Sequence, residues 1–421
     1  MRVLLATDVF PPRCGGAGWS SFHLARALQQ RGHTVLVVVP CEGGKGHRRR
    51  SYGGIAVQQF AYGTPRLPLL RNLFRNEFLW PRLGRFLAES ARQGHFDLIH
   101  AQHSLTIPAA VHAGRICHIP VVATVRDYWA ICYRSTLLGH SDQRCLRCGM
   151  LDTIRCLGQP LKGLAPLAVL AYPYVRGNVR RKARALARAD AVVAVSRFVA
   201  GRLSDIVPPE RLHVLPNMVD LEEIGRIIAV EPAGPSPGPF LLFVGKVEGN
   251  KGARELRDVL DRAASVLPGE ERLPLVIAGD GAMAHWLEVE LAGVGWPALF
   301  LRWADHDEVL RLLARTELLL FPSRWDEPLS RVLLEACACG APILAMATGG
   351  TAETLADGVS GALVPPDVEA FVRRLLGLLH DPAERQRLGA GARRAAEERF
   401  AVPVVAGRVE ELYATLRHRP A

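Results

Sequence analysis

The sequence predicts an α/β protein made of two tandem, doubly wound, Rossmann-like domains. Strand-length apolar runs alternate with amphipathic helical stretches almost throughout, the pattern of a parallel sheet covered on both faces. The chain has 421 residues, and two domains of roughly 200 residues each are the natural expectation at that length. The alternation breaks at EPAGPSPGP (231–239), where Pro and Gly dominate and no periodicity survives, as in a linker or exposed loop.

In chain order, VLLATD (3–8), TVLVVVP (34–40), LIHA (98–101), PVVATV (120–125) and AVVAVS (191–196) read as strands of the first half. SSFHLARALQQRG (20–32) between the first two reads as a helix, capped by Ser20 or Ser21 and ended by Gly32. In the second half FLLFVG (240–245), LPLVIAGD (273–280), ALFLRW (298–303), ELLLFPS (317–323) and APILAMA (341–347) repeat the pattern. The expected division is 1–216 and 217–400, with a last helix at about 401–421 packing back on the first domain. Ligands of such sheets sit outside the carboxyl ends of the strands, so two facing domains are expected to enclose a cleft that hinge closure empties of water.

Composition narrows the function classes. Hydrophobic residues make up 49% of the chain and charged residues 22%, ordinary for a globular protein. No run approaches the roughly 18–20 apolar residues of a membrane span. The start, MRVLLATDVFPP, reads as a buried strand and not a secretory leader, which points to the cytoplasm. The net charge of +11 is uneven: residues 1–216 hold 30 Lys and Arg against 11 Asp and Glu, +19, and residues 217–421 hold 22 against 30, −8. The first half is therefore expected to meet something anionic, unless the excess is only Arg-rich composition. Nucleic acid is excluded as a partner because the Arg excess lacks interleaved aromatics. Within 163–189 an apolar patch joins a cluster including Arg180, Arg181 and Lys182, which suits peripheral contact with the anionic inner face of a membrane or an ordinary basic helix.

The strongest constellation is ELLLFPSRWDEPLSRVLLEACACGAPILAMATGG (317–350). A strand ends at Phe321-Pro322-Ser323, a polar turn carries Glu327, and a helix starts near Ser330 and runs through Glu335 to a stop at Gly340-Ala341-Pro342. A helix start offers unpaired N–H groups and a positive dipole end to a diphosphate, and carboxylates there accept hydrogen bonds from sugar and ribose hydroxyls. Taken alone, the two glutamates are a turn residue and a solvated helix position. A second constellation, FLLFVGKVEGNKGARELRDVL (240–260), ends a strand at Gly245 and places Lys246 and Lys251 before a helix. Two cations there can neutralise a departing nucleoside diphosphate without a metal ion.

These segments resemble the donor site of glycosyltransferase family 4, retaining enzymes of the GT-B fold, and the resemblance covers nearly the whole chain. It implies transfer of a sugar from a nucleotide-sugar donor to a hydroxyl acceptor, in glycan, lipopolysaccharide or glycolipid biosynthesis, with no cofactor required for catalysis. Glu327 would contact the transferred sugar and Glu335 the ribose, with Lys246 and Lys251 on the phosphates. The family's Pro-Phe-Gly turn is Pro328-Leu329-Ser330 here; a side chain stands where glycine is usual, while the backbone N–H remains. Gly245, Asp280 of AGDG (278–281), and Gly349-Gly350 match stretches lining the donor, the last two by allowing close approach. In the loop from Pro11 to Gly18, Gly15 and Gly16 match a Gly-Gly loop on the donor side.

After PVVATV the family often carries His-Asp; here the pair is Arg126-Asp127. Arginine cannot act as a general base at neutral pH, so Arg126 is assigned to phosphate binding at the reacting centre. Retention by a front-face route, in which the departing diphosphate takes the acceptor proton, needs no histidine there. Asp127 and His103 are placed on the acceptor side; His100 is a structural histidine or a second imidazole. Cys132, Cys145, Cys148 and Cys156, separated by 12, 2 and 7 residues, allow a tetrahedral structural zinc site, free thiols or disulfides. Two rival functions remain open: a sugar-nucleotide epimerase of the same architecture, and a non-catalytic protein binding a nucleotide-sugar or glycan.

Overall fold

The computed structural model describes all residues except 13, 45, 140–144, 146, 147, 159–164, 231–237 and 418–421. Most of the expected linker, the Arg13 position of the glycine loop and the last residues of the terminal helix lie outside the described residues. The chain divides into two compact units, Met1–Met218 with Val405–Ala421, and Val219–Val404.

The first unit holds an eight-stranded sheet formed by β1 (Arg2–Ala6), β2 (Thr34–Glu42), β3 (Arg48–Tyr52), β4 (Ile55–Tyr62), β5 (Leu98–Ala101), β6 (Val121–Val125), β7 (Ala191–Ala194) and β8 (Leu212–Val214), in the order β3-β4-β2-β1-β5-β6-β7-β8. Every pairing is parallel except β3 with β4. Continuous runs such as Val3-Leu4-Leu5 are fully buried, because helices on both faces leave no alternation to a wet side. The helix after β1 differs from the expectation: it runs Gly16–Gln30, begins after Gly15 and has no side-chain cap. Ser20 and Ser21 lie inside it, where their hydroxyls donate to Gly16 O (2.9 Å) and Ala17 O (3.0 Å). A serine that bonds the carbonyl four residues back is satisfied within a helix and need not cap it. Helix Val402–Arg417 is tied to the first unit by the buried hydrogen bond between Tyr413 and His100 (2.6 Å) and by Glu410, which pairs with Arg31 and with His33 (2.6 Å).

The second unit holds six parallel strands, β9 (Leu241–Val244), β10 (Leu275–Ala278), β11 (Ala298–Arg302), β12 (Leu318–Phe321), β13 (Ile343–Met346) and β14 (Ala362–Val364), in the order β11-β10-β9-β12-β13-β14. One core face gathers Leu241, Phe243, Leu256 and Phe371, the other Leu242, Leu319, Leu334 and Ile343, as a sheet buried on both sides requires. The order reverses between β1 and β5 in the first sheet and between β9 and β12 in the second. Crevices at such switch points are where open α/β sheets bind ligands.

Candidate active site

In the second unit the loops leaving β9 and β12 come together at the switch point. After β9 the chain passes Gly245 and Lys246, makes a tight turn at Gly249–Lys251, and enters helix Ala253–Ala264 through Gly252 at φ +86°. A Cβ on Gly252 would stand 2.1 Å from Pro322 O, so glycine is what lets the two loops touch. Lys251 Nζ lies 2.5 Å from Glu327 Oε1 and 4.4 Å from the centre of the Trp325 ring. The Glu327 side chain is only 4% exposed, and Ser323 Oγ donates to its Oε1 at 3.4 Å. A buried carboxylate is tolerated in such a place because a cation meets it.

Gly349 and Gly350 support this carboxylate. Cβ atoms on them would come within 2.5 Å of Glu327 O and 2.2 Å of Pro328 O, and Gly350 N donates to Glu327 O at 2.6 Å. The close approach they permit here is to the 327–328 backbone. Lys246 is not gathered in: its side chain is 73% exposed, with Glu248 as an ion-pair partner at 3.9 Å. Asp280 is likewise exposed, accepting from Gly281 N at 2.9 Å with Arg302 at 3.9 Å. Gly279 and Gly245 pack backbone to backbone, since a Cβ on Gly279 would meet Gly245 O at 1.8 Å.

Ser330 occupies the N-cap position of helix Arg331–Cys339 without forming a side-chain cap bond, and Leu329 packs partly buried against the core. Glu335 is buried between Arg331 Nε (2.7 Å) and His306 Nε2 (2.9 Å). Burial opposes its charge, but Arg331 and His306 outweigh that and hold its carboxyl below the ordinary range. Burial also opposes protonation of His306, and Glu335 outweighs it, raising the imidazole pKa. Sequence reasoning missed both partners. Arg331 was legible as an i,i+4 neighbour of Glu335; His306, one residue inside a helix capped by Asp305, gave no signal linking it to a residue 29 positions on.

In the first unit, the loops after β1, β5 and β6 meet. Asp8 accepts from Leu105 N and Thr106 N, both at 3.0 Å, and lies 3.5 Å from His103 Nδ1. His103 Nε2 is 3.2 Å from Asp127 Oδ2, and Asp127 also accepts from Trp129 N at 2.9 Å. Burial disfavours charge on His103, while Asp127 and Asp8 overcome it and raise its pKa. Arg126 Nε donates to Asn217 Oδ1 at 3.0 Å. Gly15 precedes the first helix with open space where a Cβ would be, and Gly16 is the helix's first residue. His100 is structural: it hydrogen-bonds Tyr413 and Thr124, and burial, then Arg126, lower its pKa to about 3.

Lys182 is 8% exposed and Arg181 is paired with Glu77 at 2.7 Å, so 180–182 presents less free positive charge than its sequence promised. Lys182 turns inward on its helix, where burial lowers its pKa against the pull of Asp8, Glu77 and Asp127. No disulfide joins any of the nine cysteines; Cys132, Cys145, Cys148 and Cys156 line one pocket. Among the described residues no helix is long and apolar enough to cross a membrane.

Two Rossmann-like units, each with loops converging at a switch point, are the components of the GT-B architecture. Residues 14–223 match the family described as Glycosyltransferase Family 4, and residues 228–395 match Glycosyl transferases group 1. The chain is 24% identical over 440 aligned residues to a glycogen synthase of Mycobacterium tuberculosis, covering 98% of this chain and 94% of that protein. It is 32% identical to a D-inositol 3-phosphate glycosyltransferase of Xylanimonas cellulosilytica over 61% of this chain and 64% of that one. The Anabaena protein HepE, solved in complex with UDP, shares the fold with a TM-score of 0.69 at 19% identity, covering 99% of this chain and all of that one. The chain belongs to glycosyltransferase family 4 and is a glycosyltransferase.

Proposed function

We propose that this enzyme transfers a sugar, with retention at the anomeric carbon, from a nucleoside-diphosphate donor to a hydroxyl acceptor in glycan, lipopolysaccharide or glycolipid biosynthesis. The observation that carries the reading is the Lys251–Glu327 pair at the β9–β12 switch point, above a helix whose first N–H groups no side chain caps. A diphosphate arriving at that helix end draws Lys251 away from Glu327, and the freed carboxylate accepts from the sugar hydroxyls. Glu335, already ionised by its partners, takes the ribose hydroxyls. As the bond from the anomeric carbon to the diphosphate breaks, Lys251 offsets the charge on the leaving group. That group accepts the proton of the acceptor hydroxyl, whose oxygen bonds to the anomeric carbon on the face being vacated. No metal or cofactor is needed for this step.

The second unit is assigned the donor and the first unit the acceptor, with Asp127 and His103 on the acceptor side and Arg126 assigned to a phosphate. HepE bound to UDP supports a uridine nucleotide as the first to test. A lipid-linked acceptor fits the exposed Leu67, Leu70, Phe74 and Phe78 and the exposed Val169 and Leu170 of the first unit, which would rest peripherally on the inner face of a membrane.

The test is a thermal-shift screen of UDP-, GDP- and ADP-sugars, followed by transfer assays with the stabilising donor. At a hundredfold excess over Kd a donor stabilises the folded chain by about 2.7 kcal/mol. Stabilisation and transfer that both disappear in Glu327→Ala and Lys251→Ala support the assignment; transfer unchanged in both removes it. The anomeric proton coupling of the product, read by NMR, decides retention.

A further inference from the structure

We propose that Cys132, Cys145, Cys148 and Cys156 form a structural zinc site that staples the segment following β6 to the body of the first unit. The four thiols come from three places in the chain: the turn after Trp129, the Cys-x-x-Cys stretch, and helix Met150–Gly158. They converge on one pocket with Leu138, Leu157 and Val175. Four cysteine sulfurs on one pocket, with no disulfide among them, are a donor set suited to a soft divalent cation.

The surroundings suit a closed site. Arg134 Nη1 lies 3.8 Å from Cys156 Sγ, and Arg176 donates to Cys148 O at 3.5 Å; both offset the charge that four thiolates leave around one zinc. Thr153 Oγ1 is 3.2 Å from Cys148 Sγ, a partner that orients a ligand sulfur. Among the described residues no three of these sulfurs lie within 4.8 Å of one another. Coordination at Zn–S distances of about 2.3 Å therefore requires these sulfurs to close on the ion.

The fold supplies the need. From 126 to 139 the described residues contain no helix or strand, a run at the upper end of what unsupported loops commonly reach. It starts at Arg126-Asp127, passes the buried Tyr128 and Trp129, and reaches Cys132, whose N–H donates to Tyr128 O at 2.8 Å. A zinc ion at Cys132 thus fixes the far end of the turn that aims Asp127 at His103. Binding is balanced by release of the thiol protons as four Cys–SH and one Zn²⁺ become a tetrathiolate. All four positions are filled by protein, so the ion is structural and takes no part in sugar transfer.

The full chain, purified without chelator, is analysed for metal by mass spectrometry. About one zinc per chain is expected, falling below roughly a tenth in C145S/C148S and unchanged in C337S, whose thiol is buried and pushed up to about 12. Titration of the wild-type chain with a mercurial, read with a colorimetric zinc chelator, releases the metal as these thiols are modified, and needs no variant to fold. Folded wild-type protein with no zinc even after incubation with zinc sulfate overturns the proposal. So does zinc content equal in wild type and C145S/C148S, or iron in place of zinc.

Discussion

The first sheet reverses its order between β1 and β5, where Asp8 meets His103; the second reverses between β9 and β12, where Lys251 meets Glu327. The two switch points have the same geometry and different chemistry. In the second unit a single cation faces a nearly buried carboxylate, a pair that an incoming diphosphate can open by competing for the lysine. In the first, an imidazole sits between two carboxylates, an arrangement that orients hydroxyl groups and would repel a phosphate without Arg126 and Lys182 nearby. Sheet topology chooses where a ligand can sit; the residues at the loop ends choose what kind.

The largest test of that contrast is on the second unit. On the proposed assignment Lys251→Ala removes the charge opposite the leaving group, and kcat for transfer should fall by about 10²–10³-fold, the scale of losing one preorganised electrostatic contact. Steady-state kinetics with the donor found by thermal shift measures it. An equal fall from removing His103 would end the distinction between the two sites.

Glycines sharpen the comparison next. Gly252→Ala forces a Cβ against Pro322 O at a positive φ and should cost about 2–3 kcal/mol, lowering Tm and splitting the Lys251–Glu327 pair. Gly15→Ala, with open space around its Cβ and an extended φ of −83°, should cost under about 1 kcal/mol. The same substitution thus distinguishes a loop held by close packing from one left open, and differential scanning fluorimetry reads both.

The parallel strands and the Glu327–Glu335 segment were legible because their signals are local: apolar runs, a strand end, a polar turn, a helix stop at Gly340. The antiparallel β3–β4 pair was overlooked although Gly53-Gly54 stands between RRRSY and IAVQQFAY, both glycines at positive φ, a two-residue hairpin signal. The Asp8–His103–Asp127 group and the His306–Glu335 contact were not legible, since each joins side chains from separate loops, and no spacing rule connects residues that only the sheet order brings together. At Gly349-Gly350 the sequence marks a place of close approach, and the structure shows the 327–328 backbone packed there. Period and turn chemistry tell where a backbone must come near something; they do not name the something.

In the first unit, His103→Ala should lower kcat/KM for the acceptor by about 10–100-fold, the span of one positioning contact, and leave donor KM within about twofold. A donor-side loss as large as the acceptor-side loss would remove His103 from the acceptor.

The smallest effect concerns how Glu335 is held. The folded-state pKa of His306 is raised above its unfolded value: burial and Arg331 oppose the imidazolium, and Glu335 and Asp307 favour it more strongly. A group raised in this sense contributes stability that is complete below the unfolded value of about 6.5 and disappears as pH climbs through the folded value. Glu335 remains ionised throughout that window, because its own pKa is lowered, so the change belongs to the imidazole. The Tm difference between wild type and His306→Gln, followed from about pH 5.5 to about pH 9, should therefore favour wild type most at the acid end and narrow toward alkaline pH. A difference that widens with pH would mean that neutral His306 is the form the fold prefers, leaving Arg331 alone to hold the Glu335 carboxylate in its charged form.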